Sequence, residues 1–199
     1  MGPRQARRFV YFLLTRQNGA LEEFSKNILE LKEDVVMCSE CGRFFQTKTK
    51  SGSVCNICSD QNRDQSILML VQRDIDLESV ERNAKSAQGG FNGVYFVLGG
   101  SVPILEKEPD KKIRTKALQN LVEKRIKEGL KEIIIAVNWN PEGENTGNYV
   151  KKIIENTLRQ AQGSQRQIKI SSLGKGLSMG AELEYTDPDT LKNALRNRS

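Results

Sequence analysis

The chain has 199 residues and is 37% hydrophobic, which allows one sizeable core with smaller modules attached. Its 31 basic and 25 acidic residues give a formal net charge of +6, and this mild excess favours an anionic partner. It contains no histidine, which excludes Ser-His and Cys-His catalytic arrangements and lowers the expectation of an enzyme.

Two helices are predicted at the start of the chain. Residues Arg4 to Thr15 carry apolar side chains at helical spacing, and Pro3 suits the first turn of such a helix. A second helix is predicted from about Leu21 to Lys32. Its apolar side chains are expected to be buried: Leu21, Phe24, Ile28 and Leu31.

The start of the first helix is basic. Arg4 and Arg8 lie one turn apart there, and the free backbone amides of a helix start favour phosphate. These two arginines are therefore candidate contacts to a nucleic-acid backbone. The alternative is a solvated basic end with no partner.

The four cysteines form two short pairs, Cys38 with Cys41 and Cys55 with Cys58, with thirteen residues between the pairs. Each pair lets two thiolates reach one ion, and the stretch between them returns as a hairpin to complete a four-sulfur shell. A closed shell leaves no position for water or substrate, so the spacing predicts a structural Zn²⁺ site. Two disulfides are the alternative, which the absence of a secretory signal disfavours.

From Ile67 onward, apolar strands alternate with amphipathic helices, after a polar stretch at 59–66 that is predicted to be a linker. The predicted strands are Ile67–Val71, Val94–Leu98, Ile133–Val137 and Ile168–Ser171. The predicted helices between and after them are Asp76–Lys85, Thr115–Lys127, Thr146–Gln160 and a last one from Asp187 to Leu195. This order predicts an α/β fold with a parallel sheet covered on both sides.

Acidic residues follow two of the predicted strands. Asp76, Glu142 and Glu144 would lie near the carboxyl edge of the sheet, and their carboxylates are suitable ligands for Mg²⁺. The alternative, which we favour, is that they occupy the first turns of helices, where acidic side chains are stabilising.

Several motifs resemble, in the same order, the RecR family of bacterial recombination mediators. The stretch from Gly2 to Leu14 is similar to the second half of that family's helix-hairpin-helix, and the four cysteines match its zinc finger. Three further stretches resemble loops of its Toprim domain: Gln72–Glu81, Leu98–Gly100 and Asn140–Glu144. The stretch Gly176–Tyr185 is similar to the family's C-terminal signature.

The resemblance implies four regions: a helical segment at 1–35, a zinc finger at 36–60, a Toprim-like α/β domain at 66–172 and a C-terminal segment at 173–199. It implies a non-enzymatic mediator of DNA recombination and repair that is cytoplasmic and associated with the nucleoid. Such a protein binds single-stranded, double-stranded and gapped DNA without sequence specificity. It forms a ring-like homo-oligomeric clamp and assists recombinase loading with a RecO-type partner.

The resemblance also implies residue roles. Arg4 and Arg8 would contact DNA phosphates, and the acidic loops with Asp76, Glu142 and Glu144 would dock a protein partner. No membrane partner is expected, because no apolar run approaches the length of a bilayer span.

Two features depart from the family's pattern. The family usually begins with a further helix and turn before the position of Gly2, so we expect the true start to lie upstream of Met1; an in-frame stop codon immediately before Met1 in the genomic DNA would contradict this. Gln72 stands where the family usually has glutamate, and a neutral amide is neither a general base nor an anionic metal ligand.

Two alternative functions remain open. One is a Toprim nuclease, primase or topoisomerase fragment that uses magnesium, which Gln72 disfavours. The other is a zinc-stabilised interaction module that never contacts DNA.

Overall fold

The computed structural model describes residues 2–47, 53–86, 90–161 and 168–173. It divides into two units, one of Met1–Ser39 with Phe44–Cys55 and one of Glu40–Arg43 with Asn56–Ser199. The predicted last helix and the Gly176–Tyr185 motif lie outside the described residues. None of the described helices has the length and apolar character of a membrane span.

The first unit contains two helices and a small hairpin. Helix α1 is Pro3–Leu14, with the proline at its first position, and helix α2 is Asn18–Asp34. Strand β1, Val35–Met37, pairs antiparallel with strand β2, Phe44–Gln46. Both predicted helices are therefore present, and α2 extends beyond its predicted bounds at each end.

The prediction that α2 buries its apolar side chains is wrong. Phe24 is 40% exposed, Ile28 52% and Leu31 58%, while α1 has no buried residue. The one ring contact between the helices that the structure gives is Phe9 against Phe24, edge to face at 6.0 Å. An apolar stripe is buried only when another layer covers it, and the described part of this unit supplies no such layer.

The second unit is an α/β domain, which confirms the predicted fold class. Its strands are β3 (Asp64–Val71), β4 (Gly93–Val97), β5 (Glu132–Ala136) and β6 (Lys169–Ser172). Its α-helices are α3 (Asp74–Ser86), α4 (Thr115–Lys127) and α5 (Pro141–Ala161), and a 3-10 turn spans Pro109–Lys111. The strands are all parallel, in the order β4-β3-β5-β6.

The sheet forms where the sequence is continuously apolar. Leu68 to Val71 and the whole of β4 are buried, which is the burial expected of parallel strands with both faces covered. The core contains side chains from three strands and two helices, among them Leu70, Phe96, Ile133, Leu118 and Ile154. Register joins Leu70 to Phe96 on one side of β3 and to Ile135 on the other.

The polar stretch predicted as a linker is instead joined to the domain. Strand β3 begins at Asp64, whose N–H donates to the carbonyl of Asn92 at 2.9 Å. The Arg63 guanidinium makes two hydrogen bonds to the Glu81 carboxylate, at 2.8 and 2.7 Å, and a third to the Gly93 carbonyl. Backbone pairing and a shielded ion pair fix this segment, although its composition is that of a loop.

The Arg63–Glu81 pair is expected to stabilise the domain because both side chains are nearly buried, at 12% and 14% exposed. Arg63→Ala should lower the free energy of unfolding by about 3 kcal/mol, since it leaves a shielded carboxylate unpaired. Urea unfolding followed by circular dichroism would measure the change.

Lys111→Ala is the matched control. Lys111 pairs with Glu108 at the same 2.7 Å distance, but those side chains are 72% and 62% exposed. Loss of this exposed pair should change stability by no more than about 0.5 kcal/mol. Equal effects of the two variants would contradict the importance of the Arg63 pair.

Candidate metal centre and sheet-edge cleft

The four cysteines converge on one point. Their sulfur atoms all lie within 4.8 Å of one another, and Cys38, Cys41 and Cys55 are buried. Tetrahedral coordination with metal–sulfur bonds of about 2.3 Å places sulfurs roughly 3.8 Å apart, so the cluster is compact enough to hold one metal ion. Across residues 2–47, 53–86, 90–161 and 168–173, no other group of three or more cysteines and acids is arranged to hold a metal.

Hydrogen bonds hold the cysteine turns in place. The N–H of Cys55 donates to the sulfur of Cys38 at 3.4 Å, and the N–H of Ser39 donates to the carbonyl of Ser53 at 2.7 Å. Gly42 follows Cys41 with a φ of 72°, a conformation that glycine adopts without a steric penalty. Donors to a ligand sulfur stabilise its thiolate form, which is the form that binds metal.

The first cysteine turn, Glu40–Arg43, is also bonded to the α/β domain. Glu40 pairs with Lys124 and with the buried Arg125 on α4, the latter at 3.6 Å. The Arg114 guanidinium donates to the carbonyl of Gly42 at 2.7 Å. Sequence reasoning missed Glu40, Arg114 and Arg125, because no local pattern marks residues that meet over more than 70 positions of chain.

A cleft lies at the carboxyl edge of the sheet, where β3 ends between β4 and β5. This is the switch point of the topology, at which open parallel sheets bind ligands. The cleft has a volume of about 210 Å³. Its lining is mostly neutral and polar: Gln72, Arg73, Gly100, Ser101, Asn138, Asn140 and Glu142.

The three candidate acids do not form a joint cation site among the described residues. Asp76 accepts a hydrogen bond from the N–H of Arg73 at 3.0 Å and pairs with its guanidinium at 3.5 Å. Glu142 and Glu144 lie in the first turn of α5, and of the three acids only Glu142 lines the cleft, where it accepts a hydrogen bond from Ser101. Each acid therefore lies at a helix start, as the favoured alternative expected.

Gln72 organises the floor of the cleft. It is only 4% exposed, its side-chain oxygen accepts the N–H of Asn138 at 2.9 Å, and its carbonyl accepts the N–H of Gly99 at 3.0 Å. One buried, uncharged residue thus joins the loops after β3, β4 and β5. A neutral amide makes these bonds without the cost of burying a charge.

The backbone of the loop after β5 is held in one conformation. Asn140 accepts the N–H of Gly143 at 2.7 Å and so caps α5. A Cβ at Gly143 would lie 2.1 Å from the carbonyl oxygen of Asn138, so this close approach requires glycine.

Tyr95 and Tyr149, the tyrosines in the described part of the domain, keep their protons near neutral pH. Burial raises the pKa of Tyr95 well above its usual range. Burial, followed by a hydrogen bond to Asp110, raises the pKa of Tyr149 to about 12. Neither phenol is activated as a nucleophile, and Tyr185 lies outside the described residues.

Arg4 and Arg8 lie on α1, in the other unit. Both are exposed, and their spacing of four residues puts them on one face of the helix. Pro3 lies in the first turn of the helix, as predicted, and that turn contains no acidic residue. Their contact with DNA stays a prediction.

Comparison with known proteins identifies relatives over the whole chain. The Toprim domain family matches residues 67–173, and the family described as RecR, C-terminal, matches residues 176–199. The chain is 32% identical to Recombination protein RecR of Lactobacillus helveticus over 199 residues, covering 100% of this chain and 89% of the relative. It is 31% identical to Recombination protein RecR of Lactobacillus acidophilus and covers 89% of that protein. It is 32% identical to Recombination protein RecR of Bifidobacterium adolescentis and covers 88% of that protein.

The cysteine cluster predicts bound metal at about one ion per chain, because one tetrahedral shell uses all four thiolates. Cys41→Ser should abolish stoichiometric binding and lower the melting temperature. Elemental analysis of protein purified without added metal, with thermal unfolding of the same samples, would measure both. Ser39→Ala, in the same turn, should keep the metal; a Cys41→Ser protein with a full metal complement would contradict the assignment.

Proposed function

The chain belongs to the RecR family of recombination proteins, and we propose on that basis that it is a non-enzymatic mediator of DNA recombination and repair. It binds the backbone of single-stranded, double-stranded and gapped DNA without reading sequence, and it assists recombinase loading together with a RecO-type partner. The observation that carries the proposal is the similarity, over all 199 residues of this chain, to proteins named Recombination protein RecR.

Arg4 and Arg8 are the proposed phosphate contacts. Their exposure leaves the charges available, and α1 begins at Pro3 with neither a side-chain cap nor an acid in its first turn. The positive end of the helix dipole therefore adds to the two guanidinium charges. Contacts of this kind give affinity that depends on salt and not on base sequence.

Zinc is the proposed metal, with a structural role. Four thiolates are the ligand set that suits tetrahedral Zn²⁺, and a shell closed by protein sulfur offers no site for a substrate. The cluster of Cys38, Cys41, Cys55 and Cys58 supports this proposal by its geometry. When bound, the ion would cross-link the chain and take no part in catalysis.

The sheet-edge cleft is the proposed docking surface for the RecO-type partner. Glu142 and Glu144 are exposed beside it and offer negative charge to a basic face.

A second proposed interface joins copies of this chain in a ring-like clamp. The exposed apolar side chains of α1 and α2, such as Val10 at 52% and Leu29 at 75%, support it because such surfaces call for a cover.

The lack of catalysis is supported by three features of the cleft and its surroundings. Gln72 is a neutral amide where the family resemblance leads one to expect glutamate, Asp76 is paired with Arg73, and the pKa values of Tyr95 and Tyr149 are raised. General-base, magnesium-dependent and tyrosine-nucleophile mechanisms each need a group that these residues do not offer.

Replacement of both Arg4 and Arg8 by alanine should weaken binding to every DNA sequence tested. Loss of two phosphate contacts should also reduce the slope of log K against log salt by about 1.8 on duplex DNA. Fluorescence anisotropy over a salt series would measure both quantities. Lys151→Ala with Lys152→Ala removes the same charge from an exposed part of α5 and should change binding much less.

Unchanged affinity and slope in the arginine variant would defeat this assignment. If the unaltered protein bound no DNA even at low salt, the interaction module without DNA contact would replace the mediator. The metal analysis is independent of either result.

Glu142→Gln separates the mediator from the magnesium enzyme. With nicked and gapped DNA and Mg²⁺, the mediator predicts no cleavage or synthesis by the unaltered protein, and weaker RecO-type binding by the variant. Gel assays and surface plasmon resonance would measure these, with Glu123→Gln at an exposed position of α4 as the control. Turnover that Glu142→Gln abolishes would establish the enzyme instead.

A further inference from the structure

We propose that Arg114 is a positioning residue through which the metal site sets the shape of the sheet-edge cleft. This inference rests on the proposed function, because it takes the cysteine cluster as a zinc site and the cleft as a docking surface. It adds a dependence between the two: the cleft keeps its shape only while the metal holds the first cysteine turn.

The first step is a bond between a metal ligand and the sheet. β4 is at one edge of the described sheet, so one side of it has no strand partner there. The N–H of Val97, the last residue of β4, donates to the carbonyl of Cys41 at 2.7 Å. The residue that offers a sulfur to the metal therefore also accepts a hydrogen bond from the strand that leads into the cleft.

Arg114 makes the second connection. Its Nη1 donates to the carbonyls of Gly42 and Val97, at 2.7 and 2.9 Å, and its backbone N–H donates to the carbonyl of Leu98 at 2.9 Å. The side chain of Arg114 thus hydrogen-bonds to both the first cysteine turn and the end of β4. Its backbone N–H adds a further bond to the residue that follows β4. A guanidinium suits this task because its donors point in fixed directions.

Two glycines make room for the guanidinium. A Cβ at Gly42 would lie 3.1 Å from Nη1 of Arg114, and a Cβ at Gly99 would lie 2.9 Å from its Cζ. Both glycines have positive φ, 72° and 85°. Arg114 therefore packs directly against the turn that follows Cys41 and against the loop that follows β4.

The last step reaches the cleft. The N–H of Gly99 donates to the carbonyl of Gln72, and the Gln72 side chain accepts the N–H of Asn138. Gly100 and Ser101, which follow Gly99, line the cleft. If Arg114 moved, Gly99 would no longer be held in place. Ser101 in the cleft lining and the hydrogen bonds of Gln72 would then be free to shift.

Loss of the metal supplies that displacement. Without a metal bond at Cys41, only the Glu40 ion pairs and the hydrogen bonds of Cys41 and Gly42 hold the turn, so we expect it to shift and Arg114 to lose a carbonyl acceptor in a half-buried site. An under-satisfied guanidinium is costly there, so the side chain is expected to move toward other acceptors. The coupling would pass through contiguous hydrogen bonds from Cys41 to Gln72.

Hydrogen exchange followed by NMR tests the proposal on the full chain. We expect removal of the metal to speed exchange about tenfold at the amides of Gly99 and Asn138, while those of Ile133 and Ile135 in β5 stay protected. Arg114→Gln should reproduce that pattern with the metal still bound at one ion per chain. Metal removal from Arg114→Gln should then add little at Gly99 and Asn138.

Trp139 provides a second readout, because it is the only tryptophan in the sequence and lies between two residues that line the cleft. It is 53% exposed, and acrylamide quenching should rise in both the metal-free protein and Arg114→Gln. Lys116→Gln removes an exposed charge two residues away and should leave exchange and quenching unchanged. Arg114→Lys, which keeps the charge but not the forked donors, serves if Arg114→Gln does not fold.

Three results would overturn the proposal. One is metal removal without faster exchange at Gly99 and Asn138. Another is an Arg114 variant that keeps both the metal and the protection of these amides. The third is faster exchange throughout β5, which would mean that the metal supports the whole domain and not the cleft. None of these measurements contains DNA or a partner protein, so they can fail while the proposed mediator function stands.

Discussion

The open edge of β4 leaves backbone N–H and carbonyl groups that need hydrogen-bond partners from the chain around it. Backbone groups at that edge need partners, and in the described structure the first cysteine turn supplies one, with the Val97 N–H bonded to the Cys41 carbonyl and Arg114 joining the same turn to the strand. The cysteine turn is thus part of the domain's hydrogen bonding as well as a ligand set. The packing of α4 against Glu40 through Lys124 and Arg125 reinforces the same attachment.

The sheet-edge cleft, which these contacts reach through Gly99, has a shape fixed by hydrogen bonds and a mostly polar lining. A buried amide at Gln72 joins three loops, Asn140 caps α5, and Gly143 permits a close backbone approach. Such a surface presents hydrogen-bonding groups with little charge of its own, apart from Arg73 and Glu142 at its lining. This composition differs from the concentrated negative charge that binds magnesium.

The two units contrast in how completely they bury apolar surface. The α/β domain covers both faces of β4, whereas α1 and α2 leave large apolar side chains in solvent. The exposed arginines of α1 lie on the same helix as part of this apolar surface. Membership of the RecR family gives the exposed arginines a context, since recombination is a reaction of DNA.

The sequence by itself determined the features that depend on short spacing. Two cysteine pairs brought four sulfurs together, continuous apolar runs became parallel strands, and acids placed before helices became first-turn residues. Tertiary structure decided what depends on distant partners: the last three residues of the polar stretch before Ile67 became part of β3, the apolar stripe of α2 stayed exposed, and Arg114 contacted Gly42. Local periodicity records which face of an element is apolar, but only the folded chain decides what that face meets, because those contacts join residues that no short pattern relates.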